Sequence, residues 1–451
     1  MKKILLHNAT VVNDGRTFLG YIIVESDRIA EVGKGEFPAS SLEKYRFDEV
    51  EDLGGKYLLP GVIDDQVHFR DPGLTHKGDI YSESRAAAAG GVTSFMDMPN
   101  TKPPTTDLAA WQAKMDRAAE ASVVNYSFFF GATNDNGDIL QQLNRSRIPG
   151  IKVFLGSSTG NLLVDNSEAL RNIFSSGMLI AVHSESESII RENSARYREM
   201  YGDKEIPVNC HCKIRSREAC IESTKKAISL AEKYNARLHL LHLSTSEEAS
   251  MLAQKSLDSK HITGEACVHH LWFSDEDYER KGSLIKCNPA IKSKADREAL
   301  RNALRDGRID IVATDHAPHL LKEKEGGALK AASGCPLVQY SLPAMIELAA
   351  GGEWRIEDVV RWMCHNPARL YGIKDRGFIR PGMKADLAIV DPDKPTEVTK
   401  ERILSRCGWS PFEGHTFPAS VAATYVNGIK IWDGNRIIPD TIPSQPLEFS
   451  V

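Results

Sequence analysis

Short apolar runs alternate with amphipathic segments through the middle of the chain, from about residue 59 to residue 370. Eight of these runs are nearly continuous in apolar residues, which is typical of strands buried on both faces of a parallel sheet. Helical spacing of apolar residues lies between them, most clearly after Ser216, whose residue type suits a helix N-cap. Eight strands joined by crossover helices predict an α/β fold, a closed (β/α)₈ barrel. The predicted strands span residues 59–65, 92–98, 126–133, 151–155, 179–183, 237–243, 262–268 and 309–314.

Both ends of the chain have a different pattern, in which short β-rich runs are broken by turn residues. The C-terminal runs include an Asn427-Gly428 pair between two apolar segments, which is a strong hairpin signal. We therefore predict that residues 1–58 and 371–451 form one small composite β domain beside a catalytic barrel of residues 59–370. The β-rich runs span residues 4–12, 21–25, 28–32, 385–390, 421–426 and 429–432.

Charge and composition restrict the class of partner. The 451 residues carry a formal net charge of −5 without a block of like charge, which argues against a nucleic-acid or membrane surface. No stretch approaches the ~18 apolar residues of a membrane span. The first six residues resemble a signal peptide, but His7 and Asn8 end the apolar run too early. We expect a cytoplasmic protein that acts on a small molecule.

The 8 cysteines are scattered through the chain, which predicts reduced thiols and again favours the cytoplasm. Cys210-His211-Cys212 has some likeness to a zinc site. A structural zinc site needs four ligands, usually as two spaced pairs, and the sequence has no evident second pair. We interpret these cysteines as unligated.

Polar side chains stand where the predicted barrel strands end, which is where barrels of this kind carry their chemistry. His68 follows the first strand and Lys152 lies within the fourth. His183 and His242 end the fifth and sixth strands, and Asp315 follows the eighth. Each residue alone has a structural explanation, such as a hydrogen-bonded histidine or a helix-capping aspartate. Together they predict a site for a borderline metal such as zinc.

Lys152 is unusual among these candidate metal ligands, because an ammonium repels a metal ion and is costly to bury without a partner. Burial near a cation would depress its pKa and leave a free amine. A free amine can add carbon dioxide to form a carbamate, an anionic two-oxygen group able to bridge two metal ions. We therefore predict that Lys152 carries a carbamate formed from CO₂.

An ordered set of motifs makes the chain similar to the amidohydrolase superfamily, and within it to the dihydroorotases. The most specific blocks are Phe69-Arg70-Asp71-Pro72-Gly73, Met98-Pro99-Asn100-Thr101 and Asp315-His316-Ala317-Pro318-His319. The whole set covers most of the chain and lies at residues 60–64, 67–73, 88–93, 97–104, 286–289, 313–319 and 381–387.

The resemblance implies a role for each matching residue. His68 and Asp315 would bind a first zinc ion, carboxylated Lys152 would bridge to a second, and His183 and His242 would hold that second ion. Asp315 would also act as the general acid/base. The residues that would bind the substrate are Arg70, Asn100 and His319, on its carboxylate, and Asn288, on its ring.

One position departs from the family pattern. The first motif is usually His-x-His, whereas this chain reads Gln66-Val67-His68. A carboxamide oxygen is a neutral and weaker ligand than an imidazole. We therefore predict one or two zinc ions, with the first site weakened and the second site intact.

The resemblance implies reversible cyclisation of N-carbamoyl-L-aspartate to L-dihydroorotate in pyrimidine biosynthesis, by metal-activated hydroxide with Asp315 as general acid/base. It also favours a homodimer, since related enzymes often form one. A sister enzyme (dihydropyrimidinase, hydantoinase or allantoinase) stays open, although its ring lacks the carboxylate that Arg70 would bind. A catalytically impaired scaffold protein is a second alternative, motivated by Gln66. A zinc-storage or zinc-sensing protein is a third, against which the substrate-binding residues argue.

Overall fold

The middle of the chain forms the predicted (β/α)₈ barrel in a computed structural model that describes residues 2–42, 45–156, 162–438 and 442–450. The third predicted strand is broken into two short pieces, so nine segments make up the eight strands of the barrel. They are β6 Val62–Val67, β7 Val92–Asp97, β8 Asn125–Phe128, β9 Phe130–Gly131, β10 Ile151–Phe154, β11 Ile180–His183, β12 Leu238–Leu240, β13 Ile262–Cys267 and β14 Ile311–Ala313.

Parallel pairing runs around the barrel from β6 to β8 and from β9 to β14. The ring closes where Val67 of β6 forms a parallel bridge with His316. There the amide of His68 also donates to the carbonyl of His316 over 2.7 Å. Because all the barrel strands are parallel, their carboxyl ends lie on one face of the barrel, and the polar residues that follow them meet there.

Helices cover the barrel as the apolar spacing predicts. The helix expected after Ser216 begins at Arg217 and buries Ala219, Cys220 and Ala227. The helices are α1 Ala39–Leu42, α2 Ile80–Ala89, α3 Leu108–Ala121, α4 Gly137–Leu140, α5 Ser167–Phe174, α6 Glu187–Tyr201, α7 His211–Ile214, α8 Arg217–Tyr234, α9 Ser246–Met251, α10 Val268–Trp272, α11 Tyr278–Lys281, α12 Lys294–Arg305, α13 Gly327–Lys330, α14 Ser341–Ala350, α15 Ile356–Val360 and α16 Asn366–Tyr371.

Strands from both ends of the chain join in one 8-stranded sheet, as the two β-rich ends predict. The strands of this region are β1 Lys3–Asn13, β2 Arg16–Glu25, β3 Arg28–Lys34, β4 Glu49–Asp52, β5 Tyr57–Pro60, β15 Leu387–Asp391, β16 Thr396–Glu397, β17 Thr416–Phe417, β18 Ser420–Val426 and β19 Ile429–Trp432. The order in the large sheet is β19-β18-β15-β5-β1-β2-β3, with β4 added beside β1, and a separate small hairpin pairs β16 with β17.

The first predicted barrel strand, residues 59–65, is in fact two strands that meet at Gly61. Residues up to Pro60 pair with β15 in the terminal sheet, and residues from Val62 onward pair with β7 in the barrel. A Cβ at Gly61 would lie only 2.1 Å from Oγ1 of Thr93. Glycine therefore allows the close approach at which the chain crosses from one sheet to the other.

All 8 cysteines are free thiols, and seven of them are buried. Within the described ranges, no helix is long and apolar enough to cross a membrane.

Candidate active site

A cavity of about 460 Å³ opens at the carboxyl ends of the barrel strands. Every residue that the sequence predicted for the metal and substrate sites lies in the wall of this cavity. These residues are Gln66, His68, Arg70, Asn100, Lys152, His183, His242, Asn288, Asp315 and His319.

Asp315 and His68 face each other across one side of the cavity. Nε2 of His68 lies 2.9 Å from Oδ1 of Asp315, and its Nδ1 lies 2.7 Å from the Asn100 amide oxygen. Burial opposes ionisation of Asp315, but the contacts with His68 outweigh it and lower the pKa of the carboxyl. The Gln66 side chain donates from Nε2 to the same Asp315 oxygen over 3.2 Å. Asp315 is thus an ionised acceptor already engaged by two neighbours.

His183 and His242 form a histidine pair in the same cavity. Nδ1 of His183 is 3.1 Å from Nε2 of His242. Burial lowers the pKa of both imidazoles, so both rings are neutral near pH 7. Two neutral imidazole nitrogens 3.1 Å apart are close enough to bind one metal ion.

Glu185 stands behind His183. Its Oε2 lies 3.0 Å from Nε2 of His183 and is also paired with the guanidinium of Arg215. Burial raises the pKa of this carboxyl, yet Arg215 and His183 outweigh that effect and bring it to about 2. An ionised carboxylate beside Nε2 favours the tautomer in which Nε2 has the proton. The lone pair on Nδ1 of His183 is then available to a metal ion.

Lys152, on β10, also lines the cavity and is 1% exposed. Among the described residues, no carboxylate lies within ion-pairing distance (4.0 Å) of its ammonium, and burial lowers its pKa to about 8. A buried ammonium without a counter-ion is unfavourable. The lowered pKa leaves a reactive amine fraction near neutral pH, which agrees with the chemistry expected of a carbamate.

The part of the cavity wall around Arg70 is cationic. Arg70 is buried and donates from Nε to the carbonyl of Pro318, while its Nη2 lies 3.0 Å from Nε2 of His319. Within the part of the chain that the structure describes, Arg70 has no carboxylate partner at ion-pair distance. Lys77 adds a second cation 3.2 Å from Nδ1 of His319, although Glu323 pairs with it at 2.6 Å. This wall suits an anionic group on a ligand.

Three of these residues have left-handed backbone conformations that side chains rarely adopt. The φ angles are +67° at Arg70, +40° at His242 and +48° at Asp315. Such residues cost of order 1–3 kcal/mol each and persist where the surrounding structure holds them. At His242 that support includes Glu265, whose Oε1 accepts the His242 backbone N–H over 2.9 Å.

Glu265 belongs to a buried group that the sequence analysis missed. Nε2 of His239 lies 3.4 Å from Oδ2 of Asp65 and 3.8 Å from Oε2 of Glu265, inside the barrel strands. Burial lowers the pKa of His239, but the two carboxylates outweigh it and raise it to about 9. The sequence offered one signal for this group, a histidine within the predicted sixth strand, three residues before His242. The group does not line the cavity, and it acts on the site through the backbone of His242.

The donor set of the cavity fits a metal ion. Neutral imidazoles and an ionised carboxylate converge there from separate strands, and these are the ligand types that zinc prefers. Oε1 of Gln66 and Nδ1 of His242 are buried and have no hydrogen-bond partner among the residues that the structure describes.

The Cys210-His211-Cys212 segment does not form a comparable group. The Cys210 thiol contacts the hydroxyl of Tyr201, and the Cys212 thiol donates to the carbonyl of Asn209. His211 instead turns toward Asn288 at the cavity wall.

Comparison with known proteins gives consistent matches along the chain. The model of the amidohydrolase family matches residues 57–430. A dihydroorotase of Halobacterium salinarum is 36% identical over 95% of this chain and 96% of that protein. An allantoinase of Bacillus velezensis is 33% identical over 96% of this chain and 95% of that protein. The solved structure of L-hydantoinase (dihydropyrimidinase) from Arthrobacter aurescens superposes with a TM-score of 0.91 at 26% identity, covering 99% of this chain and 100% of that one.

Proposed function

The chain belongs to the amidohydrolase family and is a metal-dependent cyclic amide hydrolase, and on that premise we propose that it is a dihydroorotase. The proposed reaction is the reversible closure of N-carbamoyl-L-aspartate to L-dihydroorotate. Relatives named dihydroorotase support this choice, but relatives named allantoinase align over as much of the chain. The choice between these substrates therefore depends on the cavity.

The buried guanidinium of Arg70 is the observation that carries the proposal. It has no carboxylate partner at ion-pair distance in the described residues, and it opens on the cavity that holds the histidines and Asp315. L-Dihydroorotate has a carboxylate on its ring, and a guanidinium binds a carboxylate through two parallel hydrogen bonds. The rings of allantoin, hydantoin and dihydrouracil have no such group. A cationic wall of this kind therefore matches the carboxylated ring better than the uncharged rings.

We propose that His183, His242 and a carbamate on Lys152 hold one zinc ion, and that His68 and Asp315 face a second. A metal ion held there would supply Lewis-acid chemistry, which polarises a carbonyl oxygen and makes water more acidic. Asp315, kept ionised by His68, accepts the proton of the attacking water and passes it to the ring nitrogen as the C–N bond breaks. Arg70, Asn100 and His319 hold the carboxylate, and Asn288 contacts the ring.

The substrate assignment can be tested by comparing kcat/KM for L-dihydroorotate, allantoin, hydantoin and dihydrouracil under identical zinc loading. We expect dihydroorotate to be preferred by ~10² or more, because losing one partner of a buried charge pair costs about 2–5 kcal/mol. Arg70→Met should remove that preference and leave turnover of the uncharged rings unchanged. Arg436→Met, at a position where the side chain is 74% exposed, serves as the control for loss of an arginine. Preference for allantoin in the unaltered protein would assign it to the sister activity.

Gln66 leads to a separate prediction about metal affinity. Its amide nitrogen donates to Asp315 Oδ1, so this side chain competes for the oxygen that a first metal would use. We expect the site at His183 and His242 to fill first and the site at His68 to bind more weakly. Gln66→His should tighten the weaker site by at least ~10-fold, one tenfold step being about 1.4 kcal/mol. Calorimetric zinc titration measures both sites, and two equally tight sites that do not respond to the substitution would contradict the prediction.

A further inference from the structure

His211 does not line the cavity, but it contacts a residue that does. Its imidazole is 3% exposed at the start of α7. Nε2 of His211 lies 2.9 Å from the carbonyl oxygen of Cys287 and 3.1 Å from Oδ1 of Asn288. One ring nitrogen therefore faces two groups of a segment 76 and 77 residues further along the chain.

The proton on this ring can be assigned from its partners. Burial lowers the pKa of His211 to about 3, and the charges of Lys286 and Arg215 add to that effect. The ring is therefore neutral and has one N–H. The carbonyl of Cys287 can only accept a hydrogen bond, so that N–H is at Nε2.

The proton on Nε2 of His211 also orients the amide of Asn288. A donor at His211 Nε2 requires an acceptor opposite it, and only the amide oxygen of Asn288 can accept. The amide nitrogen is then left for the cavity that Asn288 lines. Without His211 the amide could rotate either way at little cost, because its oxygen and nitrogen are nearly equal in size.

We propose that His211 is a positioning residue that holds the Asn288 amide with its nitrogen toward the cavity, where it donates to a carbonyl oxygen of the substrate ring. The inference rests on the proposed function, since it takes dihydroorotate as the ring. It also adds a specificity element to the carboxylate contacts of Arg70, because a ring with a donor at that position would meet a donor and bind poorly.

A double-mutant cycle with L-dihydroorotate tests this role, using His211→Leu, Asn288→Ala and the double variant. Leaving a buried polar group unsatisfied costs about 1–3 kcal/mol, so His211→Leu should raise KM by ~10-fold and leave kcat within a few-fold. In the Asn288→Ala background the same change should have no further effect on KM. His211→Gln, which keeps a donor, should restore part of the loss. His211→Phe runs the same cycle if the leucine variant fails to fold.

His365→Leu is the matched control. His365 is also buried, and its Nδ1 lies 2.7 Å from the carbonyl oxygen of Gly377. It does not line the cavity, so its loss should leave KM unchanged. Additive effects of His211→Leu and Asn288→Ala on KM would overturn the role of His211 while dihydroorotate turnover in the unaltered protein still stood. Absence of that turnover would overturn the proposed function, and with it the ring assigned here.

Discussion

Lys152→Ala is expected to reduce dihydroorotate turnover by at least ~10³-fold, because metal polarisation of a carbonyl contributes several kcal/mol and each 1.36 kcal/mol is tenfold in rate. In the proposed modification the Lys152 ammonium first loses a proton. The free amine would then add to the carbon of CO₂ as one C=O π bond opens, and loss of a second proton would leave the anionic carbamate. Small carboxylic acids added with zinc should restore part of the activity, since they supply the missing oxygens. Steady-state rates with and without acetate measure both effects.

Lys152→Arg is the matched variant, because it keeps the positive charge but does not form the carbamate. It should be as inactive as Lys152→Ala, and acetate should not rescue it, since the guanidinium fills the space. Intact-mass measurement of the unaltered protein should show the added mass of one CO₂. Full activity in Lys152→Arg would show that the amine and its carbamate have no part in catalysis.

Asp315→Asn is expected to lower kcat by about 10² to 10⁴, the range that general acid/base catalysis supplies. The amide keeps the shape of the side chain but cannot accept a proton from the attacking water. The lowered pKa of Asp315 means that it is already ionised near neutral pH, so no protonation step limits its action there. Rates and zinc content measured on the same samples separate proton transfer from loss of metal.

Asp310→Asn controls for removal of a buried carboxylate. Asp310 stands just before β14, at the end opposite Asp315, and pairs with Lys260 at 2.7 Å. Its substitution should lower thermal stability and leave kcat within a few-fold. If Asp315→Asn behaved in the same way, Asp315 would have a structural role only.

The barrel could be predicted because its strands are buried on both faces. Such strands appear in the sequence as continuous hydrophobic runs. The boundary at residues 59–65 could not, because the apolar run continues through Gly61 while the chain changes partners from β15 to β7. That change depends on contacts with residues more than 300 positions away. The sequence around Gly61 does not indicate these distant contacts.

The residues at the strand ends could be found for a related reason. A polar side chain directly after an apolar strand is easy to recognise in the sequence. Parallel strands bring such residues to one face of the barrel. Glu185, His211 and Lys77 support the cavity from loops and helices, where polar residues are ordinary. Their importance comes from contacts across the fold, such as Nε2 of His211 with Oδ1 of Asn288.

A crystal structure of the zinc-loaded protein with L-dihydroorotate, with anomalous data at the zinc edge, tests the proposed function most directly. We predict an anomalous peak between His183 and His242, with density for a carbamate on Lys152 beside it. The ring carboxylate should lie within hydrogen-bond distance of Arg70, and the ring amide should face Asp315. A carboxylate directed away from Arg70, or an unmodified Lys152 with no anomalous peak in the cavity, would contradict the assignment.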